Sequence, residues 1–156
     1  MKNKETLIKD FTKNLRILAI GPSGSGKTYF AHTFPRTYTI NTEPGGMDTV
    51  ASNPKLVQNM VGYDEFIPAG KANVQDTLVN LKKEITKVKE LVKEGKIETV
   101  ILDNVTYLAE NVWLYYSEVN PVLSKSGAVD KLAGFRELDS WLYKFIVFDL
   151  LTLPYM

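Results

Sequence analysis

Apolar residues between Asn73 and Gly95 recur at the three- and four-residue spacing of an amphipathic helix. The repeating positions are Val74, Leu78, Leu81, Ile85, Val88 and Val92. Lysines and glutamates share the other side, which is the usual composition of a solvated helix face rather than of a DNA-binding one. Because glycine commonly follows the last helical turn, the pattern predicts one long helix that ends near Gly95 and covers a sheet with its apolar stripe.

Three other segments have the apolar, β-branched composition of strands. They lie at 15–20, 37–42 and 97–103. The last segment is almost continuously apolar, as a strand buried on both faces would be. Prolines and glycines interrupt the stretch 47–72, where we expect one more short strand. Apolar periodicity after the third segment predicts two further helices, at 105–119 and 128–151.

A glycine-rich sequence directly follows the first predicted strand. Residues 21–28 read Gly-Pro-Ser-Gly-Ser-Gly-Lys-Thr and match the phosphate-loop pattern G-x-x-x-x-G-K-[ST]. Glycines allow backbone N–H groups to approach phosphate oxygens, and the N-terminus of the next helix adds a partial positive charge. The residues expected to contact a nucleotide are Gly21, Pro22, Ser23, Gly24, Ser25, Gly26, Lys27, Thr28 and Tyr29.

Two side chains at the end of this loop carry specific expectations. The Lys27 ammonium would neutralise the β- and γ-phosphates and so take part in catalysis, and the Thr28 hydroxyl would bind Mg²⁺. The alternative is a Gly/Ser turn that contains a lysine by chance. Because a strand signal precedes the loop and all the defining residues are present, the sequence favours a nucleotide site.

Two carboxylates follow predicted strands. Glu43 comes after the second strand and Asp103 ends the third, and ligands of open α/β sheets gather beyond such strand ends. We expect Glu43 to act as a general base or to orient water, the alternative being a residue of the following Pro-Gly-Gly turn. We expect Asp103 to hold Mg²⁺ opposite Thr28, the alternative being a helix cap. Asn104 replaces the second acid found in many motor ATPases, so the predicted base is Glu43.

Composition narrows the class of protein. The chain has 156 residues, of which 44% are hydrophobic and 24% charged, as in one soluble globular domain. A net charge of +1 gives no general reason to expect nucleic acid or a membrane as partner. The absence of cysteine excludes disulfides and thiolate metal sites. No signal peptide or membrane span is evident, so we expect a cytoplasmic location.

The remaining candidates have ordinary structural interpretations. The single histidine, His32, is interpreted as a packing or surface residue rather than a catalyst, because no partner surrounds it in sequence. The aromatic residues between 113 and 143 are interpreted as core or subunit contacts rather than as a base-stacking surface.

Three segments together carry a family resemblance. The sequences at 21–28, 39–46 and 100–104 resemble the RecA-like branch of P-loop ATPases, most closely phage ATP-binding proteins of the single-strand-annealing recombinase type. The resemblance covers residues 14–156 and implies a three-layer α/β P-loop fold with a mainly parallel sheet, incomplete at the C-terminus. It implies ATP and Mg²⁺ as ligands, Glu43 as the catalytic glutamate and Asp103 as the Mg²⁺-associated acid. Residues 1–13 would be an N-terminal tail or edge segment.

The resemblance also implies partners and a departure from the family. Expected partners are single-stranded DNA and either further copies of the chain or another chain, in the host cytoplasm if the source is a phage. In RecA-like sheets a sensor strand lies between the strand before the loop and the strand ending at Asp103. This sequence lacks that strand, so we expect a gap that another segment, a partner or a rearrangement fills. Three functions remain open: an ATPase in recombination or annealing, a small-molecule or nucleotide kinase, and a truncated nucleotide-binding module without turnover. The scarcity of arginines, at 16, 36 and 136, lowers the kinase alternative.

Overall fold

A three-stranded parallel sheet forms the centre of the fold. The computed structural model describes residues 15–153, so the predicted N-terminal segment 1–13 lies outside the described part. The strands are β1, Thr37–Asn41; β2, Met60–Glu65; and β3, Thr99–Asp103. Their order is β2-β1-β3, and β1 pairs in parallel with both neighbours. The predicted α/β class with a mainly parallel sheet is therefore confirmed.

Helices connect and cover these strands. They are α1, Lys27–Ala31; α2, Asp48–Ala51; α3, Pro54–Asn59; α4, Val74–Lys93; α5, Val105–Leu114; and α6, Lys131–Tyr143. A 3₁₀ turn at Lys71–Asn73 precedes α4, and π-helical segments at Tyr115–Val119 and Lys144–Leu150 extend α5 and α6. The two helices predicted at 105–119 and 128–151 are therefore confirmed, apart from a later start of the second.

Helix α4 supplies most of one face of the core. All six predicted stripe positions are buried, and Leu81 and Val88 are completely so. The stripe belongs to one apolar cluster with Tyr38 and Ile40 of β1 and with Phe145 from the end of the chain. Each fully buried aliphatic side chain contributes about 1.5–3 kcal/mol relative to exposure. The predicted helix and its orientation are confirmed.

Aromatic residues of the second half stack on one another in pairs. Trp113 stacks on Phe135 with ring centroids 4.2 Å apart, and Trp141 stacks on the buried Phe145 at 5.1 Å. Trp141 also packs against the main apolar cluster. Tyr115, Tyr116 and Trp141 therefore agree with the core interpretation, whereas Phe135 and Tyr143 are 51% and 59% exposed and lie at the surface.

The stretch 47–72 is more ordered than the sequence predicted. It contains the expected extra strand, β2, but also the short helices α2 and α3. The Asn53 side chain accepts the N–H of Lys55 and so caps α3, while Pro54 occupies the first turn. This Asn-Pro pair is a helix-start signal that the sequence analysis counted only as an interruption.

The strand predicted at 15–20 does not form. Residues 15–22 have no regular secondary structure, and Leu18 and Ile20 are 76% and 87% exposed. Within the described residues β3 pairs only with β1, and no strand lies beyond it. A strand needs a neighbouring backbone for its hydrogen bonds, so this apolar segment joins no sheet within residues 15–153 although its composition is that of a strand.

Candidate nucleotide-binding site

The glycine-rich loop has the backbone conformation that its sequence requires. Gly24 and Gly26 have φ angles of 75° and 85°, in the left-handed region that favours glycine. A Cβ on Gly21 would lie 2.7 Å from the Ser25 hydroxyl oxygen, too close for any other residue without movement. The loop is therefore a tight, glycine-dependent turn that leads directly into α1.

Lys27 begins α1, and its side chain points back over the loop. Its Nζ donates to the carbonyl oxygens of Gly21 and Pro22, each at 2.8 Å. Both acceptors are neutral, whereas an anionic phosphate oxygen makes a stronger hydrogen bond to an ammonium group. The loop thus places the Lys27 ammonium where a phosphate oxygen can replace the backbone carbonyls as its hydrogen-bond acceptor, which fits the predicted ligand.

Thr28 and Asp103 meet although 75 residues separate them. The Thr28 hydroxyl donates to Asp103 Oδ2 at 2.7 Å. Asp103 is the last residue of β3 and is only 8% exposed, so the strand fixes its position. The structure therefore brings together the two residues predicted to bind Mg²⁺, one from the loop and one from the sheet.

The chemistry of this pair fits Mg²⁺. Both side chains offer oxygen, the ligand atom that Mg²⁺ prefers. No group of three or more His, Cys, Asp or Glu side chains suited to a metal occurs among residues 15–153. An all-protein cage is not required, since Mg²⁺ in nucleotide sites usually takes one or two protein ligands and completes its shell with phosphate oxygens and water.

Glu43 lies at the end of β1, next to the end of β3. Its carboxylate Oε2 accepts a hydrogen bond from Asn104 Nδ2, and its backbone N–H donates to Asn41 Oδ1 at 3.2 Å. The neighbouring Thr42 donates through its N–H to the Asp103 carbonyl at 2.7 Å and through its hydroxyl to the Asn104 carbonyl at 2.6 Å. These bonds join the two strand ends, so Glu43 and Asp103 share one edge of the sheet.

Two polar residues at the same edge were not singled out from the sequence. Asn41 is fully buried, and its Nδ2 donates to Glu65 Oε1 at 3.2 Å. Asn41 ends β1 and Glu65 ends β2. Their positions could have identified them from the sequence, because each is a polar residue at the C-terminal end of a strand, where ligands of parallel sheets bind.

His32 connects α1 to the central strand. It is fully buried, with Nδ1 2.9 Å from the Thr28 carbonyl oxygen and Nε2 2.8 Å from the Thr39 hydroxyl. Because a carbonyl only accepts, Nδ1 carries the hydrogen, and in the neutral ring Nε2 accepts from Thr39. His32 is thus a buried packing residue, one of the two interpretations favoured from the sequence. It also holds the backbone of Thr28.

Tyr29 is the last of the residues predicted to contact a nucleotide, and it lies after the loop. It lies on α1 and is 48% exposed. Its contact with a nucleotide stays a prediction, as do the individual roles of the loop residues, Glu43 and Asp103.

Three features define a P-loop nucleotide-binding α/β protein. They are a phosphate-type loop before a helix, a strand-end aspartate beside the loop threonine, and a parallel sheet. A family model described as an AAA domain matches residues 13–154, and the chain belongs to this family of P-loop ATPases. No curated protein and no solved structure shows significant similarity to the chain. The family match supports nucleotide binding in general and carries no information on phage origin or recombination.

Within residues 15–153 no helix combines the length and apolar character needed to cross a bilayer.

Proposed function

We propose that the chain binds Mg·ATP at the glycine-rich loop and hydrolyses it. The observation that carries the proposal is the 2.7 Å hydrogen bond between the Thr28 hydroxyl and Asp103, beside Glu43 on the adjoining strand end. This arrangement combines a phosphate cradle, an oxygen pair for a divalent cation and a candidate base at one edge of the sheet. Phosphoryl transfer depends mainly on positioning and electrostatic stabilisation, and these are the elements that it requires.

Each residue has a distinct role in this proposal. Loop N–H groups and the Lys27 ammonium bind phosphate oxygens, and Lys27 also stabilises negative charge that develops during transfer. Thr28 and Asp103 hold Mg²⁺, which when bound neutralises and orients the phosphates. Glu43 orients the attacking water and accepts its proton, since its carboxylate is fixed at one oxygen by Asn104.

The cellular role that we propose is DNA recombination or single-strand annealing in a phage, in the cytoplasm of its host. It rests on the resemblance of the segments at 21–28, 39–46 and 100–104 to phage recombinase ATPases. Single-stranded DNA would then be a partner. A further copy or another chain would add a strand on the side of β3 that faces away from β1. The apolar segment 15–20 supports this proposal, because its exposed side chains could then pack against the added strand.

A nucleotide-binding module without turnover is the second candidate. Residues 15–22 form no strand of the described sheet, which favours this candidate, because the loop reaches the sheet through the hydrogen bonds of Thr28 and His32 on its C-terminal side. The kinase alternative receives less support. Arg36 pairs with Glu98 at 3.5 Å beside the start of β1, at the opposite sheet edge, and Arg16 donates to the Leu151 carbonyl at 2.7 Å. Neither is placed to hold a second phosphorylated substrate.

One set of assays separates these functions. Phosphate release from ATP is measured with and without Mg²⁺, with and without single-stranded DNA, and with small-molecule phosphate acceptors. The proposed ATPase requires Mg²⁺ and responds to single-stranded DNA. Transfer of phosphate to an acceptor would establish a kinase, and tight ATP binding without phosphate release would establish the module without turnover.

Glu43→Gln tests the proposed base directly. Glutamine keeps the size of the side chain, so Mg·ATP binding should persist while turnover falls by about 10²-fold or more, the scale of lost general-base catalysis. Glu98→Gln is the matched control, because this carboxylate also accepts a hydrogen bond from a side chain, that of Arg36, but lies at the opposite edge of the sheet. If Glu43 only orders its turn, turnover will stay intact and the stability will change by about 1 kcal/mol or less.

A further inference from the structure

We propose that Asn104 is a positioning residue that fixes the direction of the Glu43 carboxylate. The proposal rests on the proposed function of Glu43 and deepens it. From the sequence, Asn104 counted only as the place where a second acid is absent. In the structure it is half-buried between the end of β3 and the start of α5, and both ends of its amide are engaged.

The orientation of this amide is determined by its two partners. Asn104 Oδ1 accepts the backbone N–H of Tyr107 at 3.0 Å and so caps α5, while Nδ2 donates to Glu43 Oε2. A flipped amide would direct N–H groups toward the N–H of Tyr107 and an oxygen toward a carboxylate. Both contacts would be repulsive. The helix cap therefore obliges the donor end of Asn104 to face Glu43.

The backbone around the pair keeps donor and acceptor at a fixed separation. The Thr42 hydroxyl donates to the carbonyl oxygen of Asn104 itself at 2.6 Å, and the Glu43 N–H donates to the buried Asn41 side chain at 3.2 Å. The main chain of Glu43 is thus held from one side and its carboxylate from the other. Because Oε2 is bound by Asn104, the carboxylate presents its other oxygen, Oε1, in one direction. A base that aligns an attacking water molecule requires such a fixed direction.

A spectroscopic experiment tests this contact without any need for turnover. The side-chain NH₂ signals of Asn104 are assigned in ¹⁵N-labelled protein and compared with those of the Glu43→Ala variant, because alanine removes the acceptor whereas glutamine would keep an oxygen that can accept. Asn53 is the control, because it also caps a helix through Oδ1, at 3.1 Å from the Lys55 nitrogen. We expect the Asn104 signals to move and to exchange faster with solvent, while the Asn53 signals stay. Unchanged Asn104 signals would overturn the proposal.

Substitutions of Asn104 test its effect on the reaction. Asn104→Ser and Asn104→Asp both keep an oxygen suited to a helix N-cap, so α5 should be preserved. Both remove the amide N–H group that donates to Glu43 while the cap is kept, and the aspartate adds a like charge beside Glu43. We expect kcat to fall by about 10- to 100-fold, more for the aspartate, with the Kd of Mg·ATP changed less than about threefold. Asn53→Ser, the same substitution at the cap of α3, where the side chain bonds to Lys55 rather than to Glu43, should leave kcat unchanged.

The double variant separates failure of this proposal from failure of the proposed base. If Asn104 acts through Glu43, then Asn104→Ser should reduce turnover no further in the Glu43→Gln background. Equal reductions in both backgrounds, or wild-type kcat in Asn104→Ser, would overturn the positioning role. Unchanged turnover in Glu43→Gln alone would instead overturn the proposed base, whatever Asn104 does.

Discussion

The two faces of the central strand β1 are built from different chemistry. On one face Tyr38 and Ile40 enter the apolar cluster beneath α4. On the other, Thr39 contacts His32 and Asn41 contacts Glu65, both by side-chain hydrogen bonds. All five residues of β1 are nonetheless buried. Burial alone therefore does not distinguish the face that holds the fold together from the face that positions the candidate site.

The difference shows how alternating positions in one strand can serve two purposes. The apolar face is stabilised by area removed from water, which tolerates changes of similar shape and volume. The polar face depends on specific donors and acceptors, which cannot be removed singly without leaving a buried partner unsatisfied. Substitutions on the apolar face should therefore change mainly the stability, whereas substitutions on the polar face should disturb both the stability and the geometry of the candidate site.

The largest effect on binding is expected from Lys27→Ala. This change removes the cation from the phosphates and removes only polar contacts to loop carbonyls, so nucleotide binding should be lost while the thermal midpoint stays near that of the wild type. Calorimetric titration with Mg·ATP measures it. Lys83→Ala on the exposed side of α4 is the control. Affinity like that of the wild type in Lys27→Ala would refute the site.

The largest effect on stability is expected from Leu81→Ala. Leu81 is fully buried in α4, so its truncation leaves a cavity and should lower the free energy of unfolding by about 2–5 kcal/mol. Denaturant titration measures the loss. Val79→Ala, on the same helix but 45% exposed, should cost far less. Equal losses at the two positions would contradict the assignment of the stripe.

Much of this arrangement follows from the sequence. The six stripe positions of α4 were predicted because a single period repeats over twenty residues. The pairing of Thr28 with Asp103 was predicted because a loop motif and an acid-tipped strand each carry a specific signal. The prediction of a strand at 15–20 was wrong, because composition indicates the tendency of a segment to form a strand and not whether a neighbouring strand is present. Asn104 and Asn41 were missed because an asparagine gains its role only from what the fold places beside it.

An intermediate effect is expected from Thr39→Val on the polar face. Valine keeps the shape of threonine but removes the hydroxyl that bonds to His32, leaving a buried ring nitrogen unsatisfied. The free energy of unfolding should fall by about 1–3 kcal/mol. Thr33→Val, at an exposed hydroxyl that donates to the Phe30 carbonyl at 2.7 Å, is the control. A loss no greater than that of the control would show that the His32 bond adds little.

The smallest effect is expected from a polar cluster at the margin of the apolar face. The Tyr38 hydroxyl donates to Asp64, and Lys87 lies 3.1 Å from Asp64 and 2.7 Å from Glu84. Burial raises the pKa of Tyr38, and the adjacent carboxylates of Asp64 and Glu84 raise it further, so its phenol stays protonated. Burial alone would raise the pKa of Asp64, but the hydrogen bonds from Tyr38 and Lys87 outweigh it, and the pKa lies below 3.8.

Asp64→Asn should therefore produce a small, pH-dependent loss of stability. A carboxyl group whose pKa is lowered in the folded state stabilises the protein above its unfolded pKa, and this contribution disappears as the pH falls through the lowered value. The loss at pH 7 should be about 1 kcal/mol or less, because the pair is partly exposed. Urea titrations from pH 7 to about 2 should show the two proteins converging below pH 3.8. If the two proteins still differ in stability at the lowest pH, the loss comes from packing rather than from charge. Asp64 would then belong to the packed apolar face of β1 and not to a separate polar cluster.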